Sequence, residues 1–147
     1  MAKRPFLAAL LIALPGIVIG LSGYTFYYAK GYSYMLDDPK ACMNCHVMRD
    51  NFRSWEIGSH RHVTCNGCHV PHNIVGKYAT KMEHGVRHSY VFTFSDPQVI
   101  KIKESGREIV NENCMNCHAT MVSSIFHTTG PGARMCFDCH RSVGHDY

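Results

Sequence analysis

Every cysteine in this chain belongs to one short phrase. C-x-x-C-H occurs four times, as Cys42/Cys45/His46, Cys65/Cys68/His69, Cys114/Cys117/His118 and Cys136/Cys139/His140, and it uses all eight cysteines of the 147 residues. A disulfide framework also uses an even count, but nothing in it requires a histidine after the second cysteine. Zinc ribbons use paired cysteines as tetrahedral corners, again without that histidine. Attachment of c-type haem needs the whole phrase: two thiols add to the vinyl groups, and the adjacent imidazole lies beneath the iron. With histidine at 11 of 147 positions, four chance matches have a probability on the order of 10⁻⁵. The expected cofactors are four covalently bound haem c, with His69, His118 and His140 as proximal ligands of haems 2, 3 and 4.

The first site is not a copy of the others. Only "CMNCHVM" places a methionine, Met48, two residues beyond its histidine. A thioether is a softer, weaker ligand than imidazole, and it raises the potential of a c-type haem. That would suit the first acceptor of electrons. Methionine is also a common gap-filler, and the chain has eight. The residues alone leave His46 and Met48 both open as the donor to haem 1.

The elements that must position these groups begin with an anchor. Lys3 and Arg4 precede an uncharged run from Pro5 to Ala29, about 25 residues and long enough to cross a bilayer as a helix. A cleaved signal peptide has a shorter apolar stretch and a small-residue cleavage site. Here Tyr24, Phe26, Tyr27 and Tyr28 end the run instead, in the manner of an interfacial aromatic belt. The positive charges set the expected orientation, with residues 1–30 as a transmembrane anchor and the N-terminus cytoplasmic. Residues 31–147 then form a periplasmic tetrahaem domain, and the protein is single-pass in the cytoplasmic membrane. The net charge of +4 is modest and spread along the chain, so nucleic acid is excluded as a partner.

Beyond the anchor, motifs 1 and 2 form one closely spaced pair and motifs 3 and 4 another, joined by a connector from Val70 to Asn113. The expected fold is mainly α with much irregular structure: the single transmembrane helix plus a compact tetrahaem cytochrome c domain. Asp37-Asp38-Pro39 reads as a turn into motif 1, with either aspartate as cap. Helix is expected over Met48–Ile57, Ile74–His88 and Gln98–Asn113, a loop over Thr128–Arg134, and no strand. Four porphyrins can supply the apolar interior that a soluble part of this size lacks.

The anchor together with "DPKACMNCHVM", "SHRHVTCNGCH", "KYATKMEHGVRHSYVFTF", "NENCMNCH" and "CFDCHRSVGH" resembles the NapC/NirT-type membrane quinol dehydrogenases, and within them the small subunits of cytochrome c nitrite reductase. The resemblance implies a menaquinol dehydrogenase that passes electrons to a periplasmic multihaem nitrite reductase subunit, without reducing nitrite itself. It favours Met48 as the iron ligand of haem 1. It places Lys81, His84 and His88 in the quinol-site connector, as the catalytic, proton-handling groups. Some relatives carry an aspartate at the position of His88, so ligation and proton acceptance both stay open for this histidine.

His60, just before motif 2, and His145, just after His140, are too near their own motifs to reach the far face of the same haem. His145 is expected at haem 3 and His60 at haem 4, and the resemblance implies the same positions. Haem 2 is then the expected exit, completed by a lysine from the reductase. Two other readings stay in play. One is the same dehydrogenase serving another reductase, such as periplasmic nitrate reductase; the other is a passive tethered electron carrier.

Overall fold

The structure is a computed structural model that describes residues 3–95, 100–123 and 134–145. It is helical, with no strand among the described residues. The chain divides into two compact units, residues 1–36 and 37–147.

The first unit is dominated by α1 (Lys3–Tyr28), which carries Pro15 in its interior. Its segment Phe6–Tyr28 is long and apolar enough to cross a membrane. No side chain of this span is buried within the protein, so lipid is the environment that accommodates it. The helix stops at Lys30, which adopts a left-handed conformation (φ 53°), a backbone that non-glycine residues rarely take. A 3-10 turn over Gly31–Met35 follows.

The second unit holds all four motifs. A 3-10 turn over Pro39–Asn44 is capped by Asp38, whose side chain accepts from the Lys40 N–H. Another turn, His46–Met48, leads into α2 (Arg49–Ile57). Then come α3 (Cys65–His69), capped by Thr64, and α4 (Ile74–Phe94), capped by Asn73. The chain continues with α5 (Glu104–Cys117), α6 (Ala119–Val122) and α7 (Cys136–Cys139).

Two helices differ in extent from the reading of the sequence. α4 continues past His88 to Phe94, because Ser89 to Phe94 contains no glycine or proline to stop it. α5 starts at Glu104 rather than near Gln98: Ile100 and Ile102 are β-branched and disfavour the first turn. Asp96-Pro97 and the loop over 128–133 lie outside the described residues.

Val70 is the one buried apolar side chain among the described residues. Polar clamps therefore do much of the positioning. Asn113, itself buried, donates from Nδ2 to the carbonyls of Cys68 and Val70, both at 2.9 Å. These bonds fasten α5 to the two residues that flank His69.

Candidate functional site

Three of the four motifs share one local geometry. In α3, in the last turn of α5 and in α7, the two cysteines sit one helical turn apart and the histidine follows directly. Residues at i, i+3 and i+4 lie on one helix face, so both thiols and the imidazole can address one porphyrin. Motif 1 breaks this pattern. Cys45 is extended (φ −85°, ψ 121°) between two 3-10 turns, which takes His46 out of the helical register. His46 is exposed, whereas Met48 is half-buried at the start of α2.

The motifs also adjoin one another in chain order. Cys42 and Cys65 share a hydrogen bond that holds the Cys42 thiol down at about 7 and pushes Cys65 well up. Burial raises Cys68, and Cys117 adds to the effect. Burial likewise pushes Cys114 up to about 11, with Cys136 and then Cys68 as neighbours. Motif 1 thus meets motif 2, motif 2 meets motif 3, and motif 3 meets motif 4.

Two histidine pairs bridge distant parts of the chain. His69 and His145 have ring centroids 6.1 Å apart, and so do His60 and His118. An imidazole nitrogen bonds a transition metal at about 2 Å, so two imidazoles on opposite sides of one metal have centroids about 6 Å apart. The His145 Nδ1–H donates to the Asn51 carbonyl at 2.9 Å, and His60 Nδ1 pairs with the Ser59 hydroxyl at 3.0 Å. Both rings are left with Nε2 to offer, the second-shell arrangement typical of metal-bound histidine. Burial, with His145 and His84 nearby, holds His69 down at about 4, so its imidazole is neutral and can donate a lone pair. These pairs, the eight unbridged thiols and the scant apolar interior together fit covalently attached haem.

The pairing departs from the sequence reading. His145 faces His69 of motif 2 rather than motif 3, and His60 faces His118 of motif 3 rather than His140 of motif 4. A ring of the chain itself thus faces the histidine of motif 2, where the sequence reading expects the exit. His140 is exposed, and no ring faces it among the described residues. From its own motif, His60 thus reaches one motif less far along the series than expected, and His145 one motif further. Trp55 sets the reach of His60, because its indole N–H donates to the carbonyls of His60 (3.2 Å) and Val63 (2.9 Å) and folds that loop tightly.

The connector residues gather on one face of α4. Lys81 is buried, lies 3.4 Å from the Asp37 carboxylate and neighbours Cys42 of motif 1. Asp37 also accepts from Lys77 and, at 2.7 Å, from Asn66. Those bonds, with Lys77 the strongest, hold its carboxyl down at about 2. His84 and His88 stack at 5.7 Å with nearly parallel rings, and burial lowers the pKa of both. Glu83 braces this stretch through Lys103, Arg87 and His84.

Several supporting residues escaped the sequence reading. Asp37 was legible only as a possible cap; Asp38 takes that role and leaves Asp37 to the two lysines. Asn113, Trp55 and Asn51 carry no motif. Motif 4 is held by Arg107, which bonds Asp138 at 2.9 Å and lies over the Phe137 ring. Asn111 adds a bond by accepting from the Cys136 N–H.

The model of the NapC/NirT cytochrome c family, N-terminal region, matches residues 3–147. The chain belongs to this family. It is 37% identical to the cytochrome c-type protein NrfH of Wolinella succinogenes, over 99% of this chain and 89% of that one. It is 31% identical to the cytochrome c nitrite reductase subunit NrfH of Nitratidesulfovibrio vulgaris, over 94% and 85%. Its fold is similar to a chain in the crystal structure of the cytochrome c nitrite reductase NrfHA complex bound to the HQNO inhibitor. The TM-score is 0.65 at 29% identity, covering 90% of this chain and 88% of the other. The chain is thus a mainly α, membrane-anchored c-type cytochrome with a single membrane-spanning helix.

Proposed function

We propose that the chain is the quinol-oxidising, electron-delivering subunit of a membrane-bound cytochrome c nitrite reductase. Residues 1–30 anchor it, and residues 31–147 form a tetrahaem domain on the periplasmic side. The carrying observation is the series of motifs: Lys81 adjoins Cys42 at one end, and exposed His140 stands at the other. The relative named as a nitrite reductase subunit, and the resemblance to a chain in the NrfHA complex, support the reductase as the partner.

Bound at the four cysteine pairs, c-type haem supplies a row of one-electron carriers. The chain's own residues do the rest. His69 with His145, and His60 with His118, are the residues that would hold the groups at motifs 2 and 3. Met48, half-buried at the start of α2, would hold the group at motif 1. His140 would hold the group at motif 4.

Menaquinol oxidation releases two protons with its two electrons. His84 and His88, neutral because of burial, can accept protons at ordinary pH. Lys81, charge-paired with Asp37, can hold a quinol oxygen beside motif 1.

The test is reduction of the purified holoprotein by a menaquinol analogue in detergent with no other protein present, followed by addition of the reductase subunit. Reduction and then onward oxidation by nitrite is the expected result. A protein that stays oxidised until a second redox protein is added would instead be a passive carrier.

A further inference from the structure

α4 is amphipathic, and its polarity is the reverse of that of a helix on a water-facing surface. At 100° per residue, Lys77, Lys81, His84 and His88 fall within an arc of about 60°. This is the inward side: Lys81 is only 6% exposed, and His84 lies near His69. Val75, Tyr78, Met82, Val86 and Tyr90 occupy an arc of about 120° on the other side. No charged residue falls within it. These side chains face outward, with Val75 80%, Met82 and Val86 67% and Tyr90 64% exposed. Tyr90 also packs its ring on exposed Phe94, 5.1 Å away, near the end of the helix. A surface helix normally turns its apolar stripe to the core and its charges to water.

We propose that α4 is an interfacial helix, whose outward face lies in the boundary between headgroups and acyl chains of the bilayer that α1 spans. Three features favour lipid over a protein partner. The membrane span ends at Tyr28 and the second unit begins at Asp37, so a tether of at most about 30 Å keeps the domain at the bilayer surface. The outward face mixes aliphatic side chains with tyrosine, the composition that suits this boundary. The inward face carries the groups that handle a lipid-soluble substrate, so the same helix would bring Lys81, His84 and His88 to the level at which quinol leaves the membrane. That last consequence rests on the quinol-oxidising reading, whereas the docking itself does not.

The experiment uses the full-chain holoprotein in phosphatidylethanolamine–phosphatidylglycerol vesicles doped with a phospholipid that bears a photoactivatable diazirine in its acyl chain. After illumination, labelled peptides are mapped by mass spectrometry. Labelling of the Val75–Tyr90 stripe as well as α1 is expected, while exposed Met121 on α6 stays unlabelled. The double variant Met82→Glu, Val86→Glu should lower α4 labelling several-fold with haem content unchanged. Labelling confined to α1 overturns the proposal. So does α4 labelling that disappears when the reductase subunit is added, because the stripe would then be a partner face. Quinol oxidation measured on the same vesicles separates the two readings. Labelled α4 without quinol oxidation sinks only the quinol role, and unlabelled α4 with quinol oxidation intact sinks only the interfacial helix.

Discussion

His145 and His60, proposed as distal ligands, differ from the proximal histidines in how they are found. A proximal histidine is announced by the two cysteines before it, and all four motifs were legible in the sequence for that reason. A distal histidine is chosen by tertiary approach, so the sequence offers the residue but not its target. Replacing His145 with alanine is expected to turn one low-spin haem, that of motif 2, into a high-spin centre, as read by EPR of the purified holoprotein. His60→Ala should do the same to the haem of motif 3. Retention of six-coordinate spectra in either variant would refute that pairing. At motif 1, Met48→His exchanges a thioether for an imidazole and should lower the potential of haem 1. The shift should be on the order of a tenth of a volt, within the roughly 0.8 V that axial ligands command, and a redox titration would measure it. Asp37 sets a pH dependence. Its carboxyl is held at about 2 against an ordinary 3.8, so its contribution to stability is complete above pH 3.8 and is lost as pH falls toward 2. Asp37→Asn should remove that acid-sensitive part of the unfolding curve.

The helices follow their own sequences closely where caps are present and less so where they are not. Asn73 and Ser95 bracket α4, Thr64 starts α3 and Gly58 ends α2. The start of α5 lacks a side-chain cap, and there the sequence gives no sharp boundary. What the sequence could not disclose is how these helices are fastened, because the fasteners are ordinary polar residues. Asn113 is the clearest of them. Asn113→Ala leaves the Cys68 and Val70 carbonyls without their donor and should cost about 1–3 kcal/mol, measurable by denaturant unfolding of the holoprotein. Because those carbonyls flank His69, the haem of motif 2 should report the change more strongly than that of motif 4.

For the molecule as a whole, the order of motifs along the chain is also their order in space, which gives the domain an input end and an output end. We propose exposed His140 as the output end. Mixing the purified protein with the reductase subunit should therefore alter the spectrum of the haem at motif 4 and leave that at motif 2 unchanged. A change at motif 2 instead would return the exit to the position first expected from the sequence. The anchor was plain from composition, whereas the orientation of α4 was not. The sequence shows that α4 has two faces, but only the packing of Lys81 reveals which one points inward.

The contact between Cys42 and Cys65 has a consequence for biogenesis. The hydrogen bond from Cys65 lowers the Cys42 thiol, which favours its thiolate, the form that attacks. A cross-link there would occupy one attachment point in each of two motifs and block both haems at once. Thioether formation at either motif would remove this hazard, so the two attachments protect one another.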